Sequence, residues 1–511
     1  MQTNKHFRLF DIRTDILFAI FLVLQPVIDI YRTFWGDTLS VGPFAIEEFI
    51  NLGMLGFLFI VALLQAVHRK QGKSLLPYGL YFGLIAIYLV LHCANILQFD
   101  QSIFPSAAID LLTECYYIFR SYLCPLLLMF LFWKNGMEDL LFARTIKLIV
   151  CIISGIIVVT NLLGISLVAY SGENHQIAGS IFSWPTLTTS MTEGELAMYT
   201  SKGWFQSANQ ISALLFSLCP IIVKEVIKKP SWGNSLLLAL QVVSMAMLGT
   251  RTASLGCILV ILAMTLVLLA LHILHLEPIR KVRIFPILLL IVLLGSLLSY
   301  YSPGQLSKRL NEQEAVVERP AAEEAKPSGQ NPASLADYLD EYAYNYYIND
   351  WFLEIYPVSE DEPFWKEVIS RDRTLNMDNR SFKIEMLQRI KERNAHTDDT
   401  LYGFGYTSNV PYTERDYVYQ YYIFGILGIL LLMGPFLFAL CYGGLRLLLR
   451  PRQYLTLENC SLLMALGCML CIAFFSGHVF GILINMLFMG TYAGKLLSNL
   501  KTALIHGGKQ A

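Results

Sequence analysis

Residues 224–283 read KEVIKKPSWGNSLLLALQVVSMAMLGTRTASLGCILVILAMTLVLLALHILHLEPIRKVR. Two apolar runs, near 233–249 and 252–274, are each suited to crossing a bilayer as a helix. They meet in a tight turn, Gly249-Thr250-Arg251-Thr252. The flanks are basic, with Lys224, Lys228 and Lys229 before the pair and Arg280, Lys281 and Arg283 after it. Short cytoplasmic connections retain Lys and Arg, so the flanks lie inside and the turn faces outward. This hairpin sets the frame for the whole chain.

The same reading extends in both directions. Further spans are expected near 14–33, 44–66, 76–96, 107–133, 146–170, 205–226, 283–301, 417–443, 459–475 and 479–498, about twelve in all. Basic connections alternate with nearly charge-free ones, which places both termini in the cytoplasm. Backbone polar groups find no water in hydrocarbon, so the spans are helical, and no period-two alternation suggests a barrel. The expected organisation is spans one to nine over 1–301, a large extracytoplasmic loop over 302–416, and spans ten to twelve with a tail over 417–511.

Composition agrees. Of 511 residues, 55% are hydrophobic and 15% charged, with mean hydropathy +0.51. A net charge of −1 gives no reason to expect a nucleic-acid partner. The first apolar run lacks a small-residue cleavage site and reads as a retained first helix. All ten cysteines lie in apolar runs with no zinc-site spacing, so they read as small buried hydrophobes and no metal is expected.

The long loop divides by composition. Residues 311–335 are rich in Glu, Ala and Pro and read as a disordered linker. Residues 337–357 are dense in Tyr, which suits a membrane interface or a sugar platform. Residues 380–394 carry Phe382, Ile384, Leu387 and Ile390 at helical spacing, predicting an amphipathic helix lying over the membrane face.

Ionisable groups within spans are costly and need a reason. Asp110, Glu114 and Arg120 in the fourth span form either an ion-pair network or an anion site reached from outside. Asp29, Arg32, Glu47 and Glu48, at the ends of spans one and two, read as interfacial charges. Arg251 sits among small polar residues at the outward turn, where its planar fork of donors suits a phosphate or simply reaches lipid headgroups. Glu414 and Asp416 stand at the mouth of span ten, as candidate general bases or interfacial charges.

Three patches carry a resemblance. They are GWFQSANQISALLFSLCP (203–220), MLGTRTASLG (247–256), and the run from Asn379-Arg380 through LYGFGYTSN (401–409) to ERDYVYQYYIFGILGI (414–429). Together they resemble the O-antigen ligase and polymerase superfamily of bacterial cell-envelope glycosyltransferases. The resemblance implies an all-α polytopic membrane protein of the GT-C-like class, in the bacterial cytoplasmic membrane. It implies that Arg251 and Arg380, with Arg120 as a third candidate, bind a pyrophosphate, and that Asn209, Gly403 and Gly405 contact substrate. Ligases of the family carry a His where this chain has Glu414-Arg415-Asp416, so Asp416 or Glu414 is the implied base and a polymerase the implied enzyme. His175, His396 and His478 lie outside that patch.

What the resemblance implies is metal-independent and cofactor-free polymerisation of polyprenyl-pyrophosphate-linked oligosaccharide, both donor and acceptor being lipid-linked. Flippase and chain-length regulator proteins are implied partners, besides membrane lipid. Two alternatives stand beside it: a ligase passing finished glycan to a terminal acceptor, and a transporter or flippase for lipid-linked glycan.

Overall fold

The structure is a computed structural model that describes residues 13–36, 40–41, 44–68, 75–104, 106–170, 174–188, 190–279, 282–310, 334–376, 380–396 and 398–507. The segment 311–333, most of the expected linker, lies outside the described residues, as do Lys5, Arg8, Arg69, Lys70, Lys73, Arg280, Lys281 and Lys509.

Among the described residues, nine long helices precede the long segment: α1 (Thr14–Trp35), α2 (Ile46–His68), α3 (Leu76–Ile96), α4 (Leu111–Asn135), α5 (Asp139–Leu162), α6 (Ala208–Lys228), α7 (Trp232–Leu248), α8 (Arg251–Ile273) and α9 (Ile284–Tyr301). Two helices within the segment matter below, α10 (Glu362–Ser370) and α11 (Arg380–Asn394). Three follow it: α12 (Asp416–Leu449), α13 (Leu457–Phe475) and α14 (Leu483–Gly507). Ten of these helices are long and apolar enough to cross a membrane, and α7 and α14 fill the places of the seventh and twelfth expected spans. The protein is an all-α polytopic membrane protein.

The fifth expected span, 146–170, is displaced. Its helix begins at Asp139 and stops at Leu162, and the chain then forms β1 (Leu167–Val168). That strand pairs antiparallel with β2 (Ser201–Gly203), leading the chain to the start of α6. Apolar composition alone could not distinguish the helix end from the buried strand after it.

Burial sorts the helices. The apolar window of α6 is 89% buried, against 28% for α3 and α9. α6 is thus the central helix, and polar residues such as Gln210, Ser212, Ser217 and Lys224 are buried with it. One charge at the far end of α6 is spent there: Lys224 Nζ lies 2.8 Å from both oxygens of Glu458 on α13, while Lys228 reaches the same carboxylate at 3.1 Å. Elsewhere close approach relies on glycine. Gly490 and Gly494 on α14 stand four apart, and a Cβ on either would meet backbone oxygen of α4, Pro125 at 2.5 Å or Met129 at 2.4 Å. Lipid offers no hydrophobic drive between helices, so such small-residue contacts hold them by dispersion.

Two helices contain a π turn, Phe119–Leu123 in α4 and Ile429–Met433 in α12. Each lies just before a proline, Pro125 or Pro435. Proline cannot donate to the ladder, and the preceding N–H, of Cys124 or Gly434, reaches one residue further back. Helix α12 also breaks at Gly425 (φ 65°).

The apolar residues of α11 pack largely inward. Phe382, Met386, Leu387 and Ile390 are fully buried. Phe382 stacks among Phe352, Phe364 and Trp365, at centroid distances of 4.8, 5.7 and 5.6 Å. These aromatics, two of them from α10, carry the hydrophobic core into the segment between α9 and α12.

Candidate functional site

A polar cavity of about 350 Å³ opens among α1, α2, α4, the start of α6, and the loop joining α13 to α14. Asp29 and Arg32 come from one face of α1, three residues apart. Glu47 and Glu48 form the first turn of α2, where a helix N-terminus favours anions. Arg120 comes from the π turn of α4, and Gln206, Ser207 and Gln210 from the entry to α6. His478 closes one side.

Asp29, Glu47 and Glu48 are therefore buried cavity walls and not scattered interfacial charges, while Arg32 lines the cavity from an exposed position. Asp29 accepts the Gln206 N–H at 3.2 Å and Gln210 Nε2 at 2.7 Å. Glu48 accepts from the Tyr116 hydroxyl and from Arg120 Nη1. Arg120 Nε is buried and makes no hydrogen bond. Arg32 Nε lies 3.5 Å from Glu47 Oε1. Among the described residues, no three His, Cys, Asp or Glu side chains converge as a metal site.

The expected grouping of Asp110, Glu114 and Arg120 does not form. Asp110 caps α4, accepting from the N–H groups of Leu112 and Thr113. Glu114 points away from the cavity. It accepts the N–H groups of Tyr406 and Thr407 at 3.0 and 2.9 Å, and His92 Nε2 lies 3.0 Å from it. Arg120 alone of the three reaches the cavity. A single extra residue in the π turn alters the face on which Arg120 emerges, and helical spacing does not reveal that.

Asp416 is fully buried at the head of α12. Its Oδ1 accepts the Tyr412 hydroxyl at 2.6 Å and the His478 N–H at 3.1 Å. Its Oδ2 accepts the N–H groups of Val479 and Phe480 at 2.9 and 2.8 Å. Burial, then the neighbouring Asp416 charge, pushes the Tyr412 phenol far above its ordinary range, so it stays a donor. The carboxylate thus fastens a loop whose backbone is unusual: Gly477, His478 and Gly481 all have positive φ. For His478 such a conformation costs energy and persists because the surroundings impose it. Sequence reading passed over His478 because its partner Asp416 lies 62 positions away. The only local signal is the Ser476-Gly477-His478 run between two spans.

Arg251 does not line the cavity, but its turn stands beside it. Gly249 ends α7 in the left-handed region, and Thr250 caps α8 through its side chain. Arg251 is the first residue of α8 and is exposed. Thr252 Oγ1 lies 3.4 Å from Ser476 Oγ, tying this turn to the loop of His478. Glu414 is half-buried near Tyr170, which is itself exposed. Asn209 stands between Ser207 and Gln210 without itself lining the cavity. The side chain of Arg380 lies outside the described residues.

Gly403 and Gly405 do other work. Both have positive φ. The N–H groups of Phe404 and Gly405 bond to the carbonyls of Tyr422 and Ile423, beside the break in α12. Asn95 of α3 donates to the Gly403 carbonyl at 2.7 Å. Neither glycine lines the cavity.

The cavity thus joins two arginines, three carboxylates and a helix N-terminus, held at its rim by a strapped loop. No curated protein matches this chain. A family model does, over nearly its whole length: the model for O-antigen ligase like membrane proteins matches residues 12–503, and the chain belongs to that family.

Proposed function

We propose that this cavity transfers a glycan from a polyprenyl-pyrophosphate donor to a sugar hydroxyl, and that the reaction polymerises lipid-linked repeat units at the outer face of the bacterial cytoplasmic membrane. Family membership supports a ligase- or polymerase-type role. The observation that carries the reading is Arg120: it reaches a polar cavity with a buried Nε that has no acceptor. A guanidinium suits pyrophosphate, which needs charge neutralised as it leaves. The α6 N-terminus adds dipole charge of the same sign. Arg32 shares the cavity, while Arg251 and Arg380 approach from its rim and from the long segment in this proposal.

The acceptor oxygen attacks the anomeric carbon as the bond to pyrophosphate breaks. Because the leaving group is good, placing acceptor and donor together carries much of the rate. With four donors on its carboxylate, Asp416 acts here as a positioning residue that sets the loop of His478. Glu414 belongs to the rim.

A ligase is the second reading, and the presence of His478 on the cavity wall favours it, because ligases of the family use a His. The test is glycan analysis of cells lacking the protein, complemented with wild type or Arg120→Ala. Polymer with wild type, and single lipid-linked units with the variant, supports the polymerase. Long polymer left lipid-linked in the deletion supports the ligase. Normal surface glycan in the deletion overturns both and brings the transporter forward.

A further inference from the structure

We infer that Glu47 is the group that receives the acceptor's proton, a role that rests on the glycosyl-transfer reading above. Three carboxylates line the cavity, and two are already engaged. Asp29 accepts from Gln206 and Gln210, and Glu48 from Tyr116 and Arg120. Glu47 is different. It is only 3% exposed, and neither of its carboxylate oxygens accepts a hydrogen bond. Its ion-pair partner, Arg32, offers Nε at 3.5 Å, an ion-pair distance without a hydrogen bond.

A buried carboxylate without donors is among the costlier defects a folded protein can hold. Here the defect faces a cavity with room for several sugar atoms. A ligand that brings hydroxyl donors removes the cost; one that brings only phosphate oxygens raises it through like-charge repulsion. Glu47 therefore marks the acceptor side of the cavity, and Arg120 marks the donor side.

The step balances. The acceptor O–H gives its proton to Glu47 Oε as the oxygen forms its bond to the anomeric carbon. The bond from that carbon to the pyrophosphate oxygen breaks, and the pyrophosphate leaves with the electron pair. Glu47 later returns the proton to water. The titratable and charged groups around it are Asp29 and Arg32 from α1, Glu48 from its own helix, Arg120 from α4 and His478 from the loop.

The test uses purified full-length protein in detergent, with a synthetic polyprenyl-pyrophosphate oligosaccharide as donor and acceptor, across pH 5 to 9. Glu47→Gln keeps shape and removes the base. Its kcat should fall about 100-fold or more while its donor KM stays within about threefold. Glu47→Asp keeps the base but withdraws it, and should be about tenfold down in kcat, well above Glu47→Gln. An active wild type with Glu47→Gln within about threefold of its kcat overturns the role of Glu47 alone. So does a loss that appears in donor KM and not in kcat. If Glu47→Gln fails to accumulate, Glu47→Asp carries the test, and a wild-type kcat there overturns the proposal. A wild type that transfers no glycan overturns the parent reading and this one with it.

Discussion

Asp416 holds His478 by its backbone: the N–H lies 3.1 Å from Oδ1, leaving the imidazole to face the cavity. The carboxylate and Tyr412 together replace the regular hydrogen bonds that the strained loop between α13 and α14 cannot make for itself.

Asp416→Asn should therefore destabilise the protein, although Asp416 does not itself line the cavity. The amide must turn its NH2 group toward either the His478 N–H or the Val479 and Phe480 N–H groups, and its remaining carbonyl oxygen loses the charge assistance, at a cost of about 3 kcal/mol. Thermal unfolding in detergent reads this directly. An unchanged midpoint would remove the anchoring role.

Two glycines should tolerate no side chain. A Cβ on Gly403 would lie 2.3 Å from the Ile423 carbonyl carbon, and one on Gly425 2.4 Å from that of Leu401, both at positive φ. Alanine at either position should cost about 3 kcal/mol or prevent accumulation in membranes. Gly56→Ala is the control, since nothing lies within 4 Å of its added Cβ and it sits inside α2. That change should be neutral or stabilising by about 0.5–1 kcal/mol. Equal expression of all three variants would contradict the close packing.

Glu114→Gln should loosen the 403–408 loop. The carboxylate accepts from Tyr406 and Thr407, and a neutral amide weakens each bond. Amide hydrogen exchange at Tyr406 and Thr407 should accelerate at least about tenfold, which corresponds to about 1.4 kcal/mol. Exchange that stays at the wild-type rate would show that other contacts hold the loop.

Asp110 should contribute an acid-sensitive share of stability. The Thr113 hydroxyl, and then the Thr113 N–H, hold its carboxyl below the usual range. A lowered folded value means the contribution is complete above the unfolded value, about 3.9, and is lost as pH falls through the folded one. Asp110→Ala should thus melt below wild type near neutrality, and the gap should close as pH drops below about 4. A gap that persists unchanged at lower pH would contradict this.

Hydropathy and charge revealed most of the helices, and the Gly249-Thr250 turn was legible because a left-handed glycine followed by an N-capping threonine is a local signal. The cavity was less legible. Glu47 and Glu48 read as interfacial because nothing nearby in sequence shows that α1, α4 and α6 close over them. Asp416 read as a base because its four donors come from a tyrosine and a distant loop. Glu114 read as a neighbour of Arg120, although its partners are loop amides nearly three hundred positions away. Local periodicity carries helices; sites assembled from several ends need coordinates.

The break at Gly425 bears on how such proteins can be recombined. The loop at 401–405 fills the gap it leaves, and α3 and α4 bind that loop through Asn95, His92 and Glu114. The segment between α9 and α12 is therefore no interchangeable cassette. A chimera that swaps it alone between relatives would leave three polar side chains of the recipient facing a mismatched backbone. A working graft would have to carry α3, α4 and the first half of α12 along with it.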